Sequence, residues 1–281
     1  MSHWNRHTAL SVVDAAAAAF GIFGGERPKL VEIGIDPVDR ALGGLFPGTS
    51  IVLGMDQSIG KSRTVLQAAR RSQDKWGIIS LEDPEDVIGS RLLAMESGVN
   101  PLKMRRGELS DAERRQISEA RERLEHEDGI AIACCVGGSI EDVEEAVAWL
   151  ASEGCAGVWV DYLQKIRGIR DDRNNEVAAA NTRIHRACAQ NGLVAGVCSQ
   201  MTGAIPGERP RASQLRETRD IANEARVIIL GWRDEGGGPD RQDLIRFVMD
   251  KSTFGGAGTS WACVNDRNGM LKILAEDQED F

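Results

Sequence analysis

From position 49 onward, short apolar runs alternate with longer segments whose apolar residues recur at helical spacing. The run 50–53, Ser-Ile-Val-Leu, reads as a strand, and 61–71 as the helix that follows it. A second strand is expected over 76–81, with a helix opening at Pro84, since proline suits a first helical turn. Ser110-Asp-Ala-Glu113 is a capping box ahead of an Arg/Glu-rich amphipathic helix reaching about 125. Strands are expected at 130–136, 157–160 and 193–199, with helices opening at Ser139-Ile-Glu-Asp142 and spanning 175–191. The later apolar runs 227–232, 244–249 and 261–264 have no long helices between them. Strand–helix alternation followed by consecutive strands predicts an α/β fold, a largely parallel central sheet flanked by helices with an antiparallel end.

Both ends of the chain depart from this pattern. Residues 9–23 hold Val12, Val13, a run of alanines, Phe20 and Phe23 before Gly24-Gly25. They predict a short helix with one apolar side, an arm packed either on its own core or on a neighbouring subunit. The final stretch from Ala275 to Phe281 carries four acids and is expected to be a disordered, solvated tail, with a docking role for Phe281 as the alternative. The expected organisation is an arm over 1–30, one main domain over 31–273 and the tail over 274–281.

Composition narrows the class. A chain of 281 residues with 42% hydrophobic content is large enough for a sizeable core. No run approaches the roughly 18 to 20 apolar residues of a membrane span, and no signal-peptide order opens the chain, so a cytoplasmic protein is expected. The six cysteines, 134, 135, 155, 188, 198 and 263, form no Cys-x-x-Cys pair and read as buried strand thiols rather than a metal or redox site. His3, His7, His126 and His185 are scattered and suggest no metal cluster. A net charge of −9 argues against a broadly basic surface, although a ring can hide a basic pore behind an acidic exterior.

The chemistry begins after the first strand. A small polar loop closes on Gly60-Lys61-Ser62 and opens a helix, which is the layout of a triphosphate cradle. Backbone N–H groups and the helix N-terminus face the anion, Lys61 reaches the β- and γ-phosphates, and Ser62 holds Mg²⁺. The loop residues Ser58, Ile59, Gly60, Lys61, Ser62 and Arg63 are therefore candidate ATP or GTP contacts. One spacing is unusual: Gly54 stands one residue too early, and Met55 occupies the customary glycine position. An ordinary strand-to-helix turn with a chance Gly-Lys-Ser is the competing explanation.

Parallel strands of such sheets direct their C-terminal ends at the ligand, so the polar residues there matter. The strand 157–160 ends on Asp161, a single carboxylate suited to the Mg²⁺ side. The strand 76–81 ends on Glu82, placed to polarise an attacking water, and 193–199 ends on Gln200, placed to contact the γ-phosphate. Taken singly, each is more often a cap or turn residue. Their joint occurrence in this order behind a phosphate loop favours the catalytic reading.

In order along the chain stand Gly43-Gly44-Leu45, Ser58-Ile-Gly-Lys-Ser62, Ile79-Ser-Leu-Glu82, Val160-Asp-Tyr-Leu-Gln164, Cys198-Ser-Gln200 and Arg209-Pro-x-x-Ser213-x-Leu215-Arg216-Glu217. This series resembles the motor domain of DnaB-type replicative helicases, hexameric RecA-like P-loop ATPases, over about residues 33–265. The resemblance implies ATP and Mg²⁺ as ligands, Lys61 and Ser62 on phosphates and metal, and Asp161 holding the metal through water. It also implies Glu82 as catalytic base and Gln200 coupling the γ-phosphate to the DNA-facing loops. Arg216 and Glu217 would line the pore and hold the backbone of single-stranded DNA. Arg219, where the family usually has glycine, would either add a phosphate contact or pair with Asp220. Implied partners are single-stranded DNA, further copies of the chain in a ring of six, and a helicase loader or primase, with no membrane.

Two departures from the family pattern stand out. The family's N-terminal helical domain recruits primase, whereas this chain opens with an arm resembling the linker helix that packs on an adjacent subunit. Lys251-Ser252-Thr253 also falls where the family carries lysine, one residue, then an arginine finger. Lys251 is thus a candidate trans contact to the γ-phosphate, but Thr253 replaces a group worth roughly 10³ to 10⁵ in rate. Either hydrolysis is slow, or another arginine such as Arg241 or Arg246 substitutes. The main expectation is an ATP-driven translocase on single-stranded DNA in replication. The alternatives are a RadA-like recombination ATPase and a nucleotide-switched DNA-binding or assembly protein with weak hydrolysis.

Overall fold

The computed structural model describes residues 9–19, 29–167, 173–201, 205, 207–215, 219–233, 244–265 and 270–277. The chain divides into two units, Met1–Leu30 and Val31–Phe281. In the first, the alanine-rich run forms helix α1 (Ala9–Ala19), while Phe20, Phe23 and Gly24-Gly25 lie outside the described residues.

The second unit is built on a nine-stranded sheet in the order β3-β2-β4-β5-β1-β6-β7-β8-β9. The parallel strands are β1 (Ser50–Met55), β2 (Trp76–Ser80), β3 (Ile130–Cys134), β4 (Gly157–Asp161), β5 (Val194–Gln200) and β6 (Val227–Arg233). Strands β7 (Leu244–Ser252), β8 (Ser260–Asn265) and β9 (Leu271–Asp277) complete it by antiparallel pairing, as the absence of long helices after 227 predicts. β1, β2, β4 and β6 are near-continuous apolar runs because both faces of the sheet are covered.

One face packs on helix α3 (Lys61–Arg71), with Trp76 and Trp159 stacked 5.6 Å apart and Phe247 stacked on Trp261 at 5.2 Å. Such pairs contribute about 0.5–1.5 kcal/mol beyond their buried area. The other face packs on α7 (Ile140–Ser152) and α8 (Arg173–Gln190), which Arg183 ties together through Glu141 and Glu144. Helices α4 (Glu85–Ser97), α5 (Pro101–Arg106) and α6 (Asp111–His126) follow β2, and α2 (Asp36–Leu42) precedes β1.

Both capping signals are realised: Ser110 with Glu113 and Ser139 with Asp142 each exchange side-chain and backbone bonds. Each N-cap is worth about 0.5–2 kcal/mol. Pro84 sits one position earlier than expected. It is the N-cap of α4, and its carbonyl accepts from the Ile88 N–H at 3.2 Å. The strand expected over 130–136 ends at Cys134, after which the Cys135 N–H turns to the Ser80 carbonyl at 2.8 Å.

The acidic end requires a correction. Residues 274–277 are not solvated tail but the second half of β9, with Ser260 opposite Asp277 and Trp261 opposite Glu276. Satisfied backbone bonds along β8 hold this acidic stretch in the sheet. Residues 278–281 lie outside the described residues. Among the described residues no helix is long and apolar enough to cross a membrane.

Candidate active site

The carboxyl ends of β1, β2, β4 and β5 open on one edge of the sheet, where an α/β fold of this kind places its ligand. β1 delivers the chain into the loop 56–60, which turns over through Ser58 at φ 63° and Gly60 at φ 118° before α3 begins at Lys61. At Gly60 a side chain would meet left-handed strain rather than crowding, since no heavy atom lies within 4 Å of where its Cβ would stand. The first turn of α3 has no acidic residue and no side-chain cap. Its N–H groups and the positive end of its dipole are thereby left to an anion.

Met55 explains the missing glycine. It is the last residue of β1, fully buried, with ordinary backbone geometry, and its sulfur accepts from the Thr64 hydroxyl at 3.8 Å. The positive φ needed for the turn falls instead on Ser58 and Gly60.

A cleft of about 310 Å³ brings together Ser58, Gly60, Lys61, Ser62, Arg63, Glu82 and Gln200. Ile59 is the exception among the loop residues; it lines an adjoining cavity of about 280 Å³ instead. The Lys61 ammonium rests over the Tyr162 ring, 4.0 Å from its centroid. Asp161 lies beneath the cleft, 5% exposed, hydrogen-bonded to Ser62. Burial pushes its carboxyl above the usual range, against the pull of Ser62 and Lys61. Its Oδ1 is buried with no partner among the described residues.

That orphaned oxygen beside a helix-opening serine suits a divalent cation. Mg²⁺ binds through one or two protein oxygens together with substrate phosphates and water, so it needs no dedicated carboxylate cage. Among the described residues there is no such cage.

Glu82 follows β2 and is exposed, with Lys165 Nζ 3.2 Å from its carboxylate. Asp83 beside it is anchored to Ser80, whose hydroxyl accepts from the Asp83 N–H at 3.1 Å, and it pairs with Arg91 of α4. Gln200 ends β5 directly opposite Met55. Below it, Gln164 Nε2 donates to the Ser199 hydroxyl at 3.3 Å, joining the segment after β4 to β5. Asp83, Arg91, Tyr162 and Lys165 were not singled out from sequence. Tyr162 sits inside the Asp-Tyr-Leu-Gln motif, but Arg91 and Lys165 reach the site only through packing.

The family model for the DnaB-like helicase C-terminal domain matches residues 31–272. The chain belongs to this family. It is 23% identical over 257 residues to the replicative DNA helicase DnaC of Bacillus subtilis strain 168, covering 86% of this chain and 56% of that protein. The chain thus spans about half the length of this relative. Two solved structures share the fold at 18% identity. One, an ATPase domain, superposes with a TM-score of 0.83, covering 96% of this chain and all of that domain. The other, a DnaB-like replicative helicase described with its interactions with primase, gives 0.80, covering 95% of this chain and 67% of that one.

Other expected site residues of this DnaB-like domain lie away from the cleft. Lys251, on β7, donates through Nζ to the carbonyls of Ala222 at 2.8 Å and Asn223 at 3.1 Å, the end of helix α9 (Arg219–Glu224). Thr253 is exposed just after β7, its N–H on the Arg226 carbonyl at 3.0 Å. Arg246 lines a separate cavity with Arg209, and Arg241 lies outside the described residues.

Arg216 and Glu217 also lie outside the described residues, and Arg219 is the first residue of α9. Leu215, the residue that leads into them, is held on the sheet. Met201 and Leu215 form an antiparallel bridge, and buried Leu215 lies on β1 at Gly54. A Cβ at Gly54 would stand 2.4 Å from Leu215 Cδ2 and 2.9 Å from Leu230 Cδ2. The glycine one residue early in the phosphate-loop pattern therefore makes room for the neighbouring loop.

Proposed function

We propose that this chain is the motor of an ATP-driven helicase that translocates on single-stranded DNA in replication and acts as a ring of six copies. The observation that carries this reading is the convergence, in one cleft, of an uncapped α3 N-terminus, Lys61, the Ser62–Asp161 pair, Glu82 and Gln200. Lys61 and the loop amides bind the β- and γ-phosphates of ATP, and Arg63 flanks them. Ser62 and Asp161 would hold Mg²⁺, which would supply positive charge to the phosphate oxygens. Glu82 takes the proton of the attacking water, with Lys165 keeping a cation at its side. Gln200, one residue before the Met201–Leu215 bridge, passes loss of the γ-phosphate to the segment after Leu215 that bears Arg216 and Glu217.

Arg216, Glu217 and Arg219 grip the DNA backbone, a contact that holds phosphates without reading sequence. Lys251 acts across the subunit boundary on a neighbour's γ-phosphate, which requires it to leave the α9 carbonyls. A helicase loader or primase is the expected accessory partner, and the cytoplasm the expected compartment.

The deciding experiment is steady-state ATP hydrolysis with and without single-stranded DNA at one fixed salt concentration, with Lys61→Ala as the blank. Hydrolysis stimulated by DNA and abolished in Lys61→Ala, with the fold retained, is the expected result. ATP binding with negligible turnover in both conditions would replace the motor with a nucleotide-switched assembly protein, the reading that Thr253 favours. Unchanged turnover in Lys61→Ala would remove the site assignment altogether.

A further inference from the structure

On the antiparallel side of the sheet, one face borders the nucleotide cleft and continues beyond it. Trp232 on β6 stands directly opposite Arg246 on β7, and Val248 and Asp250 continue the same face of β7. The segment 207–215, which leads into the residues assigned to DNA, lies over this face. Arg209 approaches Asp250 at 3.7 Å, and the Ala212 N–H donates to the same carboxylate at 3.1 Å.

Trp232 is half-buried, unlike Trp76, Trp159 and Trp261, which are enclosed in stacked pairs. It forms part of the wall of two cavities. One, of about 280 Å³, is the cavity beside the nucleotide cleft that Ile59 of the phosphate loop also lines, with Met201, Ile205 and Pro210; the other, of about 250 Å³, has Arg209 and Arg246. Trp232 packs on the core from one side and is partly exposed on the other; a partly exposed indole near guanidinium groups is an arrangement on which single-stranded nucleic acids stack their bases. Asp250 offsets part of the positive charge here, so the aromatic surface rather than net charge is the distinguishing feature.

We propose that Trp232 is a stacking platform for a base of single-stranded DNA, beside the 207–215 segment that leads into the residues assigned to the DNA backbone. The inference rests on the reading that this domain binds single-stranded DNA, and it adds a contact to the bases where that reading has contacts only to phosphates. Because every base has a π-face, the platform would be tolerant of sequence.

The test is fluorescence anisotropy of the full chain, with a non-hydrolysable ATP analogue, against an oligothymidylate and an abasic oligonucleotide of the same length. Stacking is worth about 1–3 kcal/mol per base, so wild type is expected to prefer oligothymidylate by about fivefold to 150-fold. Trp232→Ala should abolish that preference while leaving abasic binding unchanged, and Trp232→Phe should keep most of it. Equal wild-type affinity for both oligonucleotides overturns the proposal, as does a preference that survives in Trp232→Ala. Parallel loss of both affinities in Trp232→Ala also overturns it, since Trp232 would then support the fold rather than a base. If wild type binds neither oligonucleotide, the single-stranded DNA reading itself fails and the platform with it.

Discussion

At Gly54 and Met55, two adjacent residues exchange the parts a phosphate loop usually assigns them. Met55 is buried at the strand end and needs no left-handed backbone, while Gly54 makes room for Leu215. Gly54→Ala would drive a methyl group into Leu215 and Leu230, an overpacking that costs about 1–3 kcal/mol. Urea denaturation should show that loss, and an unchanged midpoint would mean that the Leu215 contact is soft. Asp161 shows the opposite economy: its carboxylate is buried with one oxygen unpaired, unfavourable on its own and suited to a cation. Both residues stand in recognisable motifs, yet only packing distinguishes their roles. Arg91 and Lys165, eight residues from Asp83 and far along the chain from Glu82 respectively, carried no local signal.

Among the elements, β9 departs most from expectation. Its sequence, Leu271-Lys-Ile-Leu-Ala-Glu-Asp277, alternates weakly and ends in acids, so local pattern gives it little strand character. Long-range partners supply the rest. β8 provides the ladder, and buried Gln67 of α3 grips Leu271 from the other side, donating to its carbonyl and accepting from its N–H, both at 2.7 Å. Gln67→Ala would leave two buried backbone groups unpaired, each costing about 1–3 kcal/mol. We expect a lower Tm and faster hydrogen exchange from Leu271 onward; exchange as slow as in wild type would show that β8 alone holds the strand. The helices opened by Ser110 and Ser139 needed no such help, because their capping boxes are written within four consecutive residues.

At the scale of the whole molecule, sheet order is what couples the sites. β1 lies between β5 and β6, so the phosphate loop, Gln200 and the Met201–Leu215 stem meet at one edge although they are far apart in sequence. The proposed DNA-gripping residues follow directly from this edge, which is what nucleotide-driven stepping would require. For the loop itself, Arg216→Ala should weaken single-strand binding uniformly across sequences and lower the slope of log affinity against log salt by about 1. A salt titration giving equal affinity and slope would take Arg216 out of the DNA contact.

Periodicity, caps and turn residues are local, and they sufficed for the α/β class, the position of nearly every strand and the helices after 110. The Gly60-Lys61-Ser62, Glu82, Asp161 and Gln200 positions were legible for the same reason, since each sits at a strand end that its own neighbours define. Only the tertiary structure decided what depends on surfaces distant in sequence. It drew acidic residues 274–277 into the sheet, tied Lys251 to the end of α9, and set Arg91 and Tyr162 at the cleft. It also placed Trp232 beside the 207–215 segment. A short polar or charged segment carries almost no preference of its own, so the neighbours it meets in the fold determine its place.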